Sequence, residues 1–246
     1  MKTVVFSDVH LDVGPESRAQ RSAFETFLRR LDTAQTNRVI VLGDLFDFWF
    51  EYKHVIFSGY FEVLRAFAEL HERRVELHLV CGNHDFWAGR FLRDHLDFII
   101  HREPALMDFG GRRVLFVHGD GLNRRDWGYR CYKRLARARP VIWLFRRLHP
   151  DRAMGIARWV SKASRRGLQV KDPTHGSEAK ALRAFARETL RQGRADVVFC
   201  GHAHAPTIEE YPTPNGTGLY VNCGDWMYHR SYVEWDGEQF RLCRSE

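Results

Sequence analysis

Lys2-Thr3-Val4-Val5-Phe6-Ser7-Asp8-Val9-His10 is the stretch on which the fold turns. An apolar run of strand length ends abruptly, and two residues able to ligate a metal follow at once. Such a run predicts a strand buried on both faces, as in a parallel sheet. The same order recurs twice. Residues 38–42 form an apolar run stopped by Gly43-Asp44, and residues 75–81 one stopped by Gly82-Asn83-His84-Asp85. Between these runs, residues 16–32 place Ala23, Phe24, Phe27, Leu28 and Leu31 on one helical stripe, and residues 58–72 do so with Phe61, Leu64, Phe67 and Ala68. The alternation predicts a βαβαβ start with a parallel sheet covered by helices.

Beyond it, Gly110-Gly111 separates two strand-like runs, 105–109 and 113–118, as in a hairpin. A helix over residues 177–192, stopped at Gly193, leads into five short strands at 197–200, 207–211, 218–222, 231–235 and 239–243, with turns at Asn215-Gly216 and Asp236-Gly237. The class expected is mixed α/β.

Residues 122–170 differ. They carry fourteen Lys and Arg against only Asp126 and Asp151, whereas the whole chain has a net charge of +7, so the remainder is acidic. Such asymmetry calls for an anionic partner: a membrane surface, a nucleic acid or a phosphorylated substrate. The segment is expected to be helical, with Asp126 as N-cap, a break at Pro140, a restart at Pro150-Asp151 and a stop at Gly167. Trp127, Cys131 and Leu135 share one face, and arginines flank the apolar run 141–145. The division expected is a core of residues 1–121 and 171–246 with an inserted helical cap, 122–170.

No apolar run approaches the roughly 18–20 residues of a membrane-spanning helix. The few apolar residues before Asp8 are too short for a secretory h-region, so a cytoplasmic location is expected. The five cysteines are scattered and form no C-x-x-C pair. Small buried hydrophobes are expected, not a disulfide framework or a thiolate zinc site.

Five clusters follow strand ends: Asp8-Val9-His10, Gly43-Asp44, Gly82-Asn83-His84-Asp85, His118-Gly119-Asp120 and Gly201-His202-Ala203-His204. Each alone has a bland explanation. A Gly-Asp pair is a common turn, and a lone histidine is more often a satisfied core residue. Five in chain order, all beyond strand ends where α/β sheets bind ligands, are hard to assign to coincidence. Asp8, Asp44 and Asn83 offer oxygen, and His10, His118, His202 and His204 offer nitrogen. Seven ligands without a thiolate exceed one tetrahedral zinc site and suit two divalent ions such as Mn²⁺, Fe or Zn²⁺. A bridging carboxylate can hold such ions roughly 3.5–4 Å apart.

The blocks D-x-H, G-D, G-N-H-D, H and G-H-x-H, running from Asp8 to His204, resemble the calcineurin-like metallophosphoesterase superfamily. The resemblance implies a four-layer αββα sandwich. It further implies that Asp8, His10, Asp44 and His204 hold one metal, with Asp44 bridging to a second held by Asn83, His118 and His202. His84 follows a ligand and precedes Asp85, which is expected to fix its tautomer and keep it protonated. The pair is assigned a catalytic role, with His84 donating a proton to the leaving oxygen or steadying charge on phosphorus.

A narrower resemblance rests on Gly43-Asp44-Leu45-Phe46-Asp47-Phe48-Trp49, on His118-Gly119-Asp120-Gly121-Leu122, on Asp126, Gly128 and Tyr129, and on Ser161-Lys162. These are similar to the UDP-2,3-diacylglucosamine hydrolase branch, which splits a pyrophosphate in lipid A synthesis and uses Mn²⁺. The implied substrate is a lipid-linked sugar nucleotide, contacted by Asn83, His84, Asp126, Ser161, Arg165 and His202. The implied location is the cytoplasmic face of the inner membrane, held peripherally. The best-known members carry arginine where this chain has His84, and the polar run after their serine is replaced here by Arg165 and Arg166. Residues 141–145, Met154, Ile156 and Trp159 are expected to shelter acyl chains. Arg146, Arg147, Arg152, Arg158, Lys162, Arg165 and Arg166 are expected to meet phosphates and anionic lipid heads.

Two alternatives stand beside this. One is a soluble phosphodiesterase or phosphatase acting on nucleotides, nucleic acid or phosphoprotein, with nucleic acid the less expected partner. The other is a non-catalytic membrane-docking module that keeps metal as a staple. Detergent dependence separates the first from the lipid enzyme, and a complete ligand set speaks against the second.

Overall fold

Val4 and Phe6 face one way and Val5 the other, so the first strand separates two cores. A computed structural model describes residues 1–123, 126–167, 176–214 and 216–245, excepting the side chains of Tyr132 and residues 162–167. The strands are β1 (Lys2–Phe6), β2 (Thr36–Val41), β3 (Glu76–Val80), β4 (Ile99–His101), β5 (Ala105–Phe109), β6 (Arg112–Val117), β7 (Val197–Cys200), β8 (Thr207–Thr213), β9 (Gly216–Asn222), β10 (Ser231–Trp235) and β11 (Phe240–Arg244). The helices are α1 (Arg18–Arg30), α2 (Phe61–Glu72), α3 (Arg90–Leu96), α4 (Trp127–Ala136), α5 (Arg139–Phe145), α6 (Pro150–Gly167) and α7 (Ser177–Arg191).

One sheet runs β11-β10-β1-β2-β3-β4 and the other β5-β6-β7-β9-β8. Strands β1 to β4 are parallel, as are β6, β7 and β9. Val4 and Phe6 pack with Phe24, Phe27 and Leu28 of α1 and with Val63 and Phe67 of α2. Val5 and Ile40 pack against Phe116, Phe199 and Val221 of the opposite sheet. On the far side, Leu182, Ala186 and Leu190 of α7 cover Val198 and Tyr220. The result is the expected αββα sandwich.

Several local expectations change. Residues 58–60 form a separate 3₁₀ turn that buries Tyr60, whose hydroxyl donates to the Phe48 carbonyl at 3.0 Å. That turn shifts the helix phase, so Phe61 is exposed beneath the Arg65 guanidinium, and Val63, Ala66 and Leu70 are buried instead. The α3–β4 unit, too short to show periodicity, extends the first sheet past β3. Strands β10 and β11 return to the first sheet, with β10 antiparallel to β1.

Helices α4, α5 and α6 stand between β6 and α7. Asp126 caps α4 by accepting from the Tyr129 amide at 2.8 Å, and Pro150 opens α6. The return to the core over residues 168–175, like Asn215 of the expected turn, lies outside the described residues. The run 141–145 divides by helical spacing. Ile142 and Phe145 pack on Phe48, Phe50 and Met154, whereas Trp143 and Leu144 face outward. Cys81, Cys200 and Cys223 are buried as expected, but Cys131 is exposed and Cys243 half-buried. Among the described residues no helix is long and apolar enough to cross a membrane.

Candidate metal centre

The carboxyl ends of β1, β2, β3, β6 and β7 meet at one edge shared by the two sheets. Each chain turns sharply there, and Asp8, His10, Asp44, His202 and His204 all adopt positive φ, between 49° and 62°. Left-handed backbone at a non-glycine residue costs of order 1–3 kcal/mol and persists only where its surroundings enforce it. Backbone bonds between loops do so here: Asp8 N to Gly43 O (3.1 Å), His10 N to Asp44 O (2.9 Å) and Leu11 N to Leu45 O (3.0 Å). Glycine is required where these loops touch. A Cβ at Gly82 would overlap Asp44 Oδ1, and one at Gly201 would sit 2.7 Å from Asp8 Oδ2.

Each buried carboxylate is fixed by one oxygen and presents the other. The His202 amide donates to Asp8 Oδ2 at 2.9 Å, and the His84 amide to Asp44 Oδ1 at 3.0 Å. Asp8 Oδ1 then faces His204 Nε2 at 3.4 Å, and Asp44 Oδ2 faces His118 Nε2 at 3.3 Å and His10 Nε2 at 3.9 Å. His118 Nδ1 lies 2.9 Å from the Leu42 carbonyl. A carbonyl only accepts, so Nδ1 carries the hydrogen and the Nε2 lone pair points into the centre.

Two triads have donor atoms within 4.8 Å of one another: Asp8, His10 and His204, and Asp44, His118 and His202. His84 approaches His10 and Asp44 within the same limit. Asp8 Oδ1, His10 Nδ1, Asn83 Oδ1 and His118 Nε2 are buried without a hydrogen-bond partner among the described residues. Buried polar atoms ordinarily find partners, so Asp8 Oδ1, Asn83 Oδ1 and His118 Nε2 fit metal donors, whereas His10 Nδ1 is turned to Asp47 Oδ1 at 3.7 Å and its Nε2 to Asp8 and Asp44. The donor types, hard oxygen with imidazole, fit divalent transition ions.

Burial opposes the charge on Asp8, but His204 outweighs it and holds the carboxyl at about 2. Asp44 lies well below the usual carboxylate range because His118 and His84 overcome its desolvation. Reciprocally, Asp44 holds His118 above its ordinary value despite burial, and Asp8 does the same for His204. His202, buried beside the charged His118, falls to about 4. The two carboxylates thus favour the charged form of the histidines beside them, and a metal, which takes neutral imidazole, would compete with those protons.

Six of the seven residues expected to hold metal are thus gathered, and Asn83 stands on the adjoining loop with its Oδ1 buried and without a partner among the described residues. The other assignments fare differently. His84 reaches the site with Nε2 3.9 Å from Asp44 Oδ2. Its Nδ1 lies 2.7 Å from the Asp47 carbonyl, so Asp47's backbone, and not Asp85, sets the tautomer. Asp85 is corrected to a loop organiser: its fully buried carboxylate accepts from the Leu45 and Gly82 amides, both at 2.8 Å, and burial next to Asp44 pushes it up to about 6. Asp126 is exposed and occupied as a cap. Ser161 is buried and donates to Asp47 Oδ1 at 2.7 Å, so its hydroxyl is turned to the protein. Arg158 pairs with Asp12 at 3.0 Å and with Glu16, and is not free for a lipid head. The side chains of Lys162, Arg165 and Arg166 lie outside the described residues.

Asp225 went unnoticed in the sequence. Fully buried, it binds His229 Nδ1 and lies 4.0 Å from His204 Nδ1. Its signal was present, since Gly224-Asp225 follows β9 as Gly43-Asp44 follows β2.

Residues 1–206 match the calcineurin-like phosphoesterase family. Among curated proteins the chain is similar to UDP-2,3-diacylglucosamine hydrolase of Aeromonas salmonicida (strain A449), 31% identical over 242 residues that cover 95% of this chain and 89% of that protein. It is 30% identical over 239 residues to the enzyme of that name from Aeromonas hydrophila, covering 95% of this chain and 94% of that protein. The counterpart from Porphyromonas gingivalis is 30% identical over 217 residues, covering 82% and 81%.

Proposed function

The chain belongs to the calcineurin-like phosphoesterase family, and from that premise we propose that it hydrolyses the pyrophosphate of UDP-2,3-diacylglucosamine, giving UMP and 2,3-diacylglucosamine 1-phosphate. The observation that carries the chemistry is the convergence of six aspartate and histidine donors at one sheet edge, with the buried Asn83 Oδ1 on the adjoining loop. The substrate follows from relatives of that name at 30–31% identity over most of the chain.

Asp8, His10, Asp44 and His204 would hold one divalent cation, and Asp44, Asn83, His118 and His202 the other, Mn²⁺ being the expected ion. Such a pair supplies Lewis acidity toward phosphoryl oxygens and makes hydroxide available near neutral pH. The chain's own part is orientation and proton transfer. His84 commits Nδ1–H to the Asp47 carbonyl, so Nε2 faces the reacting centre. Nε2 carries a hydrogen only when the ring is an imidazolium, and that form donates to the leaving oxygen or meets charge on phosphorus. His202 and Asn83 border the same space and position the phosphate.

Residues 122–170 act as a cap on the core of residues 1–121 and 171–246 and as its contact with an anionic bilayer. Trp143, Leu144, Ile156 and Trp159 are exposed, with exposed Arg146, Arg147 and Arg152 among them. Arg147 lies over the Trp143 ring at 4.5 Å. Exposed aromatics and arginines in one segment suit the headgroup region of a membrane, where apolar stems enter and charges stay out. The location that follows is peripheral on the cytoplasmic face of the inner membrane. Replacing Trp143, Leu144 and Trp159 together with serine should cut co-sedimentation with phosphatidylglycerol vesicles at least about tenfold, since each buried aromatic or leucine contributes roughly 1.5–3 kcal/mol. Unchanged sedimentation would remove the membrane from this proposal.

The substrate is tested by incubation with Mn²⁺ and UDP-2,3-diacylglucosamine in detergent micelles. UMP release that stops on chelation is expected. His84, in place of the arginine of the best-known lipid enzymes, favours a second reading, a phosphodiesterase for water-soluble esters. Hydrolysis of a soluble nucleotide diester without detergent, and no UMP from the lipid, would select it.

A further inference from the structure

Helix α6 reaches the core along one face. Ala153, Met154 and Ser161 are buried there and Ala157 and Arg158 partly so, while Ile156, Trp159 and Val160 are exposed. Spacings of three and four residues account for that division. Two polar anchors lie on the inner face. Arg158 pairs with Asp12 and Glu16, and the Ser161 hydroxyl donates to Asp47 Oδ1 at 2.7 Å. The second anchor leads directly to the candidate metal centre. Asp47 Oδ1 also faces His10 Nδ1 at 3.7 Å, and His10 Nε2 faces Asp8 Oδ1 at 3.8 Å and Asp44 Oδ2 at 3.9 Å. His10, Asp47 and Ser161 are 7%, 3% and 4% exposed, so water does not screen this line of contacts.

We propose that Asp47 is a positioning residue that joins α6 to the metal centre, its carboxylate orienting His10 for the cation while it receives the Ser161 hydroxyl. The chemistry is that of a carboxylate behind a metal-bound histidine. A carboxylate at Nδ1 fixes the ring's tautomer, so that Nε2 is the lone pair directed at the ion, and raises its basicity. Ser161 holds that carboxylate in place from α6. The proposal rests on the metal-site reading alone and is independent of the substrate. Its consequence is reciprocal: if α6 docking favours metal binding, metal binding favours α6 docking by the same factor.

The test is Mn²⁺ titration of the full chain, reading free Mn²⁺ by its paramagnetic resonance signal. Asp47→Asn should weaken Mn²⁺ binding by about 10–100-fold, the range for losing the partner of a ligating histidine. Ser161→Ala should weaken it by roughly three- to tenfold through loss of one hydrogen bond to a carboxylate. Ser161→Thr, which keeps the hydroxyl, should restore it. In the Asp47→Asn background Ser161→Ala should add nothing, because the path is already cut. Hydrogen exchange at α6 amides should slow on adding Mn²⁺ in the parent chain and change little in Ser161→Ala. Unchanged Mn²⁺ affinity in a folded Ser161→Ala variant, or additive effects in the double variant, would overturn the link. Should the parent chain itself bind no Mn²⁺, the metal-site reading would fall instead, so the two failures are distinguishable.

Discussion

Replacing Asp44 with asparagine should lower turnover by at least about 10³-fold and reduce bound metal below two equivalents per chain, with the fold retained. The side chain keeps its shape, and its Oδ1 can still accept from the His84 amide, now at 3.0 Å. The charge is lost, and with it the oxygen that faces both His118 and His10. A neutral amide would hold two cations poorly, and such a pair would supply several kcal/mol of transition-state stabilisation, each 1.36 kcal/mol being tenfold in rate. Activity on the lipid substrate, elemental analysis and circular dichroism would be measured together. Two metals and full turnover in the variant would refute the dinuclear assignment.

His84→Ala should lower kcat by about 10²–10⁴-fold, the usual contribution of a positioned acid or base, while two metal equivalents remain. The residue is fastened by its backbone amide to Asp44 and by its ring to the Asp47 carbonyl, so Nε2 is the one ring atom left for the substrate. A phosphodiester with a nitrophenolate leaving group, which needs no proton to depart, should lose far less. Equal losses on both substrates would argue against proton donation. Loss of metal in the variant would make His84 a ligand, a role its proximity to His10 and Asp44 allows.

The ligand set was legible because its signal is local. An apolar run that stops at an aspartate or a histidine announces a strand end and a polar side chain at that end, and five such runs in order leave little freedom. Gly43, Gly82 and Gly201 belong to the same signal, since close contact between loops excludes a Cβ at 82 and 201. Asp225 follows the same rule, a Gly-Asp pair just past a strand end. Asp85, by contrast, misled. Adjacency to His84 suggested a pair, but neighbouring side chains on a turn diverge, and the carboxylate serves the backbone.

Composition and pattern by themselves determined the class, the βαβαβ order of the first strands, the candidate donors and the basic character of residues 122–170. Each of these depends on residue type at fixed spacing, and spacing along the chain is what a sequence records. Tertiary structure alone decided which residues of α5 and α6 face the core, why Ser161 meets Asp47 across 114 positions, and that β10 returns beside β1. Those outcomes depend on how distant surfaces pack against one another, and helical phase or loop direction must be known before any such contact exists.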